Sequence, residues 1–275
     1  MAGALSNDGD AAERFRFRHI ALPSMQQLRS FPFPSDAEFA ESVLLFQQAD
    51  WSEFPYRDRL PADCVTVRFP SLDSLLLWPF SCANPYNDYS GDEYPGRFPF
   101  GDRVILRRVE AGAAADEIIS YYLTSWDDYK VDLERVAEHE LARLQRRDAE
   151  CDVAASDLAL TRFASEKLFW TVNHPRKPLL APLLERLLHA GARYQPELAR
   201  LDAATLCEGA PVEPAVPDHI EVPVHPEIAK QLGLQWYDPQ ARYRQPKGRH
   251  HYTYEEYITE LVRYCVARRD GPSKP

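Results

Sequence analysis

The chain has 275 residues, with 32 Lys and Arg against 42 Asp and Glu, for a net charge of -10. That balance repels a polyanion, so nucleic acid is not an expected partner. No apolar run approaches the roughly 20 residues that span a bilayer, and the first residues lack the basic and apolar segments of an export signal. The cysteines, Cys64, Cys82, Cys151, Cys207 and Cys265, are scattered, odd in number and without a CxxC pair, so neither a disulfide framework nor a zinc site is expected. The expectation is a soluble cytoplasmic protein with no metal and no membrane span.

In chain order, Phe17 to Leu22 is the first β-rich run, and the polar stretch from Ser35 to Glu41 is a candidate helix. Val43 to Gln47 and Cys64 to Phe69 are further strand candidates, bounded by Pro, Asp or Asn. Between Trp78 and Gly101 the chain is rich in Pro, Asn, Asp, Tyr and Gly, too long and too aromatic for a plain connector, and reads as a substrate-facing loop. Helical patterns follow from Asp116 to Tyr122 and from Val131 to Arg147. In the second, Leu133, Val136, Ala137, Leu141 and Leu144 form an apolar stripe. Leu168 to Val172 is the fourth strand candidate. From Pro178 to Ala190, Leu179, Leu180, Leu183, Leu184, Leu187 and Leu188 mark one helix face, with Gly191 as its stop and Pro182 delaying the regular helix. The segment from Cys207 to Pro226 carries five prolines and reads as an extended strap, before a last helix from Tyr254 to Ala267.

Strands alternating with helices favour a parallel sheet covered on both faces. The fold class expected is α/β: an open, mostly parallel sheet flanked by helices, a three-layer sandwich of flavodoxin or SGNH type. It would form a single domain over residues 1–267, with a helical insertion around 116–166 and a frayed tail over 268–275.

No Walker loop, GxGxxG, GxSxG or HExxH occurs. The informative piece is Lys167-Leu-Phe-Trp-Thr-Val-Asn-His-Pro-Arg-Lys-Pro178, which reads as a strand, then Asn173-His174-Pro175, then a helix approach. Ligands of open α/β sheets bind at such strand ends. There His174 suits a general base and the Asn173 amide an oxyanion donor. Both residues could equally satisfy backbone groups in a turn that Pro175 sets. Arg176, Lys177 and Arg103 are candidates to hold phosphate, against the plainer reading of solvated charge. Gln47, with Gln48 beside it, ends its strand at a comparable edge, while Asn84, Tyr86 and Asp102 bracket the aromatic loop. An aromatic wall with a few polar groups suits a sugar or a base, though turn chemistry also explains them. His250 and His251 sit in a basic stretch that reads as a surface loop.

Taken together, Arg162 with the Lys167-to-Pro175 block, Pro99-Phe-Gly-Asp102 and Gln47 ending its strand resemble the WcbI family of polysaccharide-biosynthesis proteins. Val222-Pro-Val-His-Pro-Glu-Ile-Ala-Lys-Gln-Leu-Gly-Leu234 and Tyr254-Glu-Glu-Tyr257 extend the likeness over most of the chain. The resemblance implies an acetyltransferase of α/β fold that uses coenzyme A or acetyl-coenzyme A as acyl donor and a sugar hydroxyl as acceptor. A sugar-ester hydrolase and a non-catalytic ligand-binding relative are the alternatives. Two positions depart from the family's pattern. Asn84-Pro85 stands where the aromatic loop tends to read His-Pro, and nothing here matches the family's opening strand ending in Gly-Asn-Cys-Gln. The resemblance leaves two accounts: this first strand lies upstream of Met1, where the genomic DNA would encode it in frame, or the chain is a divergent relative with a rebuilt edge.

Overall fold

This computed structural model describes residues 35–37, 43–47, 61–62, 64–88, 96–209, 220–245 and 250–271. The candidate strand at Phe17 to Leu22 and most of the candidate helix at Ser35 to Glu41 lie outside them. The strands are β1 (Val43–Gln47), β2 (Val65–Phe69), β3 (Ser81–Ala83), β4 (Phe100–Asp102), β5 (Phe169–Thr171), β6 (His174–Pro175), β7 (Tyr243–Arg244) and β8 (His251–Tyr252). The α-helices are α1 (Arg103–Glu110), α2 (Ala115–Thr124), α3 (Trp126–Tyr129), α4 (Leu133–Ala149), α5 (Ser156–Leu160), α6 (Lys177–Gly191), α7 (Ala203–Gly209), α8 (Pro226–Gln231) and α9 (Tyr254–Asp270). Contacts group the chain into two compact units. The first takes Met1–Leu72, Ala142–Thr161 and Arg176–Val212, and the second Asp73–Leu141, Arg162–Pro175 and Glu213–Pro275.

In the first unit β1 and β2 run parallel, in register from Val43↔Val65 to Gln47↔Phe69. Val67 and Phe69 turn inward while Arg68 between them turns out, as the two-residue period of a strand requires. Arg68 is fixed by Asp152, whose carboxylate accepts from both its Nε and its backbone N–H, while the N–H groups of Asp152 and Val153 donate to Arg68 O. Helix α6 buries Leu179, Leu183, Leu184, Leu187 and Leu188 as one face. A proline inside a helix costs about 3 kcal/mol, but each buried leucine contributes about 1.5–3 kcal/mol, so the helix starts at Lys177 and runs through Pro182 rather than after it.

Gly191 ends that helix for a different reason from the one its sequence position suggests. A Cβ on Gly191 would lie 2.9 Å from Leu198 Cδ1, so the residue permits a close approach of the 3-10 helix Pro196–Arg200, and Ala192 forms the cap. Leu184 and Leu188 then pack with Leu198, Ala203, Leu206 and Cys207.

The second unit is built from three antiparallel strand pairs, β3–β4, β5–β6 and β7–β8, around helices α1, α2 and α9. Its core joins Phe98, Ile105, Val109, Ile118, Tyr122, Tyr257, Leu261, Val262 and Cys265. Helix α9 opens with a capping box, in which Thr253 Oγ1 accepts the Glu256 N–H and Glu256 returns a carboxylate to the Thr253 N–H. It continues past Ala267 to Asp270. The stripe read along α4 is narrower than its sequence implies: Leu133 and Leu144 are buried, but Leu141 is exposed. The strand at Leu168 to Val172 shortens to β5, and it turns back into β6 as an antiparallel hairpin instead of leading straight to a helix.

Leu184→Ala is expected to lower the unfolding free energy by about 2–5 kcal/mol, because the side chain is fully buried and the rigid α6–α7 packing cannot close over the space. Urea unfolding followed by circular dichroism measures it. A loss below 1 kcal/mol would mean that this cluster is loosely packed.

Candidate active site

The β5–β6 hairpin owes its position to a strand buried on both faces. Leu168, Phe169, Trp170 and Thr171 are all buried, and the Val222 N–H donates to Trp170 O at 3.0 Å on the side away from β6. At the turn, the Ser74 N–H donates to Val172 O at 2.7 Å. With its backbone held from both directions, the hairpin carries Asn173 and His174 exposed at its tip.

Three side chains there form a short relay. Thr171 Oγ1 donates to Asn173 Oδ1 at 3.2 Å and lies 2.5 Å from His174 Nδ1. A hydroxyl has one proton. With the Thr171 proton on Asn173 Oδ1, the Nδ1–H tautomer of His174 completes the relay and leaves the basic lone pair of the neutral ring on Nε2. The ring also stands edge-on to Phe100, with centroids 5.9 Å apart. His174 and the β4 end of the aromatic loop, far apart in sequence, are thus brought together.

From β4 the chain passes directly into α1. Asp102 is the N-cap, its Oδ1 accepting from the N–H groups of Val104 and Ile105. Gly101 allows close packing here, since a Cβ would lie 2.7 Å from Leu106 Cδ1 and 3.3 Å from Asn84 Cα, so a side chain would require Leu106 to move. The other oxygen of Asp102 accepts the Tyr122 hydroxyl at 2.6 Å. Enclosure of this carboxyl outweighs its hydrogen bonds and pushes its pKa up to about 6.

The network continues beyond Tyr122. Tyr129 Oη donates to Tyr122 O and lies 3.0 Å from His225 Nε2. His225 Nδ1 accepts the Glu227 N–H at 3.1 Å, capping α8, so Nε2 carries the proton toward Tyr129. Trp126 stacks on the His225 ring at 4.3 Å. Burial in these aromatic surroundings lowers the His225 pKa to about 4, so the imidazole is neutral at pH 7. Asp102, Tyr122, His225 and Tyr254 line a cavity of about 40 Å³, and Tyr254 Oη is buried there with no hydrogen-bond partner among the described residues. A space of that size holds one or two waters.

The remaining sequence candidates fall in varied places. Asn84 is fully buried, its Nδ2 donating to Phe98 O at 2.9 Å and its Oδ1 accepting the Tyr86 N–H at 3.0 Å, which closes the loop on itself. Tyr86 is half-buried. Arg103 is exposed at the start of α1, with one N–H on Pro79 O at 2.6 Å. Arg176 and Lys177 lie in the first unit, as cap and first residue of α6. Gln47 ends β1, and Gln48 lies outside the described residues. His250 and His251 are exposed beside or within β8. Sequence reasoning missed Tyr122, Tyr129 and His225 as partners. The available signal for His225 was its place before Pro226, since a polar residue ahead of a proline at the first helical position marks a helix start.

Among the described residues no helix is long and apolar enough to cross a membrane, and no cluster of His, Cys, Asp or Glu could hold a metal ion. The family described as polysaccharide biosynthesis enzyme WcbI matches residues 3–192. The chain belongs to this family. A solved structure of WcbI, described as the native protein without a disulfide bond between coenzyme A and one of its cysteines, superposes with a TM-score of 0.64 at 15% identity, covering 95% of this chain and 84% of that one. The fold is therefore shared with WcbI, and the family is one of polysaccharide-biosynthesis enzymes. No curated protein matches the chain.

Asp102 and His225 act oppositely on stability. The folded pKa of Asp102, about 6, lies above the ordinary 3.8, so its contribution is present at low pH and is lost as pH rises through about 6. The folded pKa of His225, about 4, lies below 6.5, so its contribution is present above 6.5 and is lost as pH falls through about 4. Relative to the parent, Asp102→Asn should therefore show stability rising more steeply between pH 4 and 6, and His225→Gln should show it falling. Urea midpoints across pH 4–7 test this, and parallel curves for all three proteins would contradict it.

Proposed function

We propose that this protein transfers an acyl group from a coenzyme A thioester to a sugar hydroxyl in polysaccharide biosynthesis. The observation that carries the reading is the Asn173–Thr171–His174 relay, which presents an exposed imidazole hydrogen-bonded through Nδ1 in a member of a polysaccharide-biosynthesis family. The coenzyme A named with the solved WcbI structure supports the choice of donor.

His174 Nε2 takes the proton of the acceptor hydroxyl as its oxygen attacks the thioester carbonyl. The carbonyl electron pair moves onto its oxygen, where the Asn173 Nδ2–H₂ group, turned outward because Oδ1 faces Thr171, donates to the oxyanion. Collapse re-forms the carbonyl and breaks the carbon–sulfur bond. The leaving thiolate takes the proton back from the imidazolium, so base and acid are the same group and nothing else is consumed. Thr171 touches no reacting atom in this scheme. It is a positioning residue.

His174→Ala should lower kcat by about 10²- to 10⁴-fold with little change in melting temperature, because the side chain is exposed. The assay follows free thiol from acetyl-coenzyme A together with acetylated sugar by mass spectrometry. Thiol release without a sugar product would point to hydrolysis, and full activity in a folded His174→Ala protein would remove the base.

Thr171→Val keeps the buried shape but deletes the hydroxyl. It should shift the ¹⁵N resonances of His174 from the Nδ1–H form toward a tautomer mixture and reduce kcat while KM stays nearly constant. An unchanged ¹⁵N spectrum would show that the hydroxyl does not set the tautomer.

A further inference from the structure

Next to the aromatic network, but on the outer side of α1, lies a cleft of about 520 Å³ that the relay does not use. Arg103, Arg107 and Arg108 form one side, with Tyr121, Tyr129 and Asp128 among the residues around it. The volume falls in the range of small-molecule sites, roughly 300–1,000 Å³. It far exceeds what a lone inorganic anion fills.

The arginines are arranged in a definite way. Arg103 and Arg107 are four apart on α1, so their side chains leave the same helix face one turn apart. Arg103 uses one N–H on Pro79 O, and the exposed Arg107 guanidinium meets no carboxylate among the described residues. Arg108 Cζ sits over the Tyr121 ring, 3.3 Å from its centroid, with Glu117 3.8 Å from its Nη1. In a chain of net charge -10, two guanidiniums without carboxylate partners in one concavity form a local site for an anion. Two forks one helical turn apart suit two linked phosphates better than one, because each guanidinium can present parallel N–H donors to its own phosphate.

The other walls extend the match. The Arg108–Tyr121 pair is a cationic surface against which a base can lie. Asp128 is a carboxylate that can accept hydrogen bonds from ribose hydroxyls. Tyr129 is held in place from behind by His225, so that wall is preset. We infer that the α1 cleft, with Arg103 and Arg107 on its phosphates, binds a nucleoside diphosphate. That unit occurs both in a coenzyme A donor and in a nucleotide-linked sugar acceptor. Assigning it to donor or acceptor rests on the acyl transfer proposed above, whereas the affinity for the nucleoside diphosphate does not.

Isothermal titration of the full chain with ADP, UDP, inorganic phosphate, coenzyme A and UDP-N-acetylglucosamine tests the inference. ADP or UDP should bind at least tenfold more tightly than phosphate. Arg107→Gln should weaken that binding at least tenfold with little change in melting temperature, because the native side chain is exposed in the last turn of α1. Arg103→Gln, which can keep the bond to Pro79 O, should weaken it as well. Displacement of ADP by coenzyme A alone marks the donor as the source, and displacement by the UDP-sugar alone marks the acceptor. No binding of either nucleotide at millimolar concentration, equal affinity for phosphate, or unchanged binding in both variants overturns the inference. Loss of acyl transfer in every assay with nucleotide binding intact would overturn only the proposed reaction.

Discussion

The second unit depends on one carboxylate. Asp102 ends β4, caps α1 with one oxygen and receives Tyr122 of α2 with the other. The cap fixes where α1 begins and therefore which face Arg103, Arg107 and Arg108 occupy. Tyr122, held by its hydroxyl, offers its carbonyl to Tyr129, and Tyr129 in turn meets His225. A strand end, three helices and a buried imidazole are thus tied through a single enclosed group. Burial of such a group is unfavourable unless its oxygens are fully engaged, and here each oxygen has a donor.

The opposed titrations of Asp102 and His225 follow from the same enclosure. Low polarity disfavours the charged form of each, raising the acid and lowering the base. Between pH 4 and 6 one group adds to stability as protons are withdrawn while the other subtracts, so the pair contributes a nearly level response. A network with two carboxylates or two histidines in these places would tilt strongly with pH. Pairing unlike groups gives a polar interior whose packing is insensitive to mild acidification.

Long periodic elements were legible in the sequence. The leucine face of α6, the start of α9 at Tyr254 and the strand Val43–Gln47 each follow from spacing and end signals that act locally. The hairpin at Asn173 and His174 was legible as a candidate site, but its form was not. The pairing of Thr171 with His174 depends on a bulged register and on Ser74 and Val222 holding the backbone from elsewhere in the chain. Helix α1 was overlooked although Asp102 before Val104-Ile-Leu106 is a cap ahead of an apolar run, because the preceding loop composition dominated the reading. The tyrosines of the network carry no sequence signal. An aromatic residue looks the same in a chain whether its hydroxyl is used or only its ring.

Asn84 shows where the burden of the chemistry must fall. The family resemblance implies a histidine at this position, and an imidazole there could titrate. In this chain the amide donates to Phe98 O, accepts from the Tyr86 N–H and touches Cys265, all within a fully buried site. An amide offers a donor and an acceptor on adjacent atoms of one planar group, which suits closing a tight turn. It has no proton to exchange near neutral pH. Of the two histidines whose rings enter the unit's hydrogen bonds among the described residues, His225 is neutral, buried and engaged at both nitrogens. His174 is exposed, and its ring is engaged at Nδ1 by Thr171 Oγ1. A base must meet its substrate, and in the proposed acyl transfer only the exposed hairpin histidine of these two can do so.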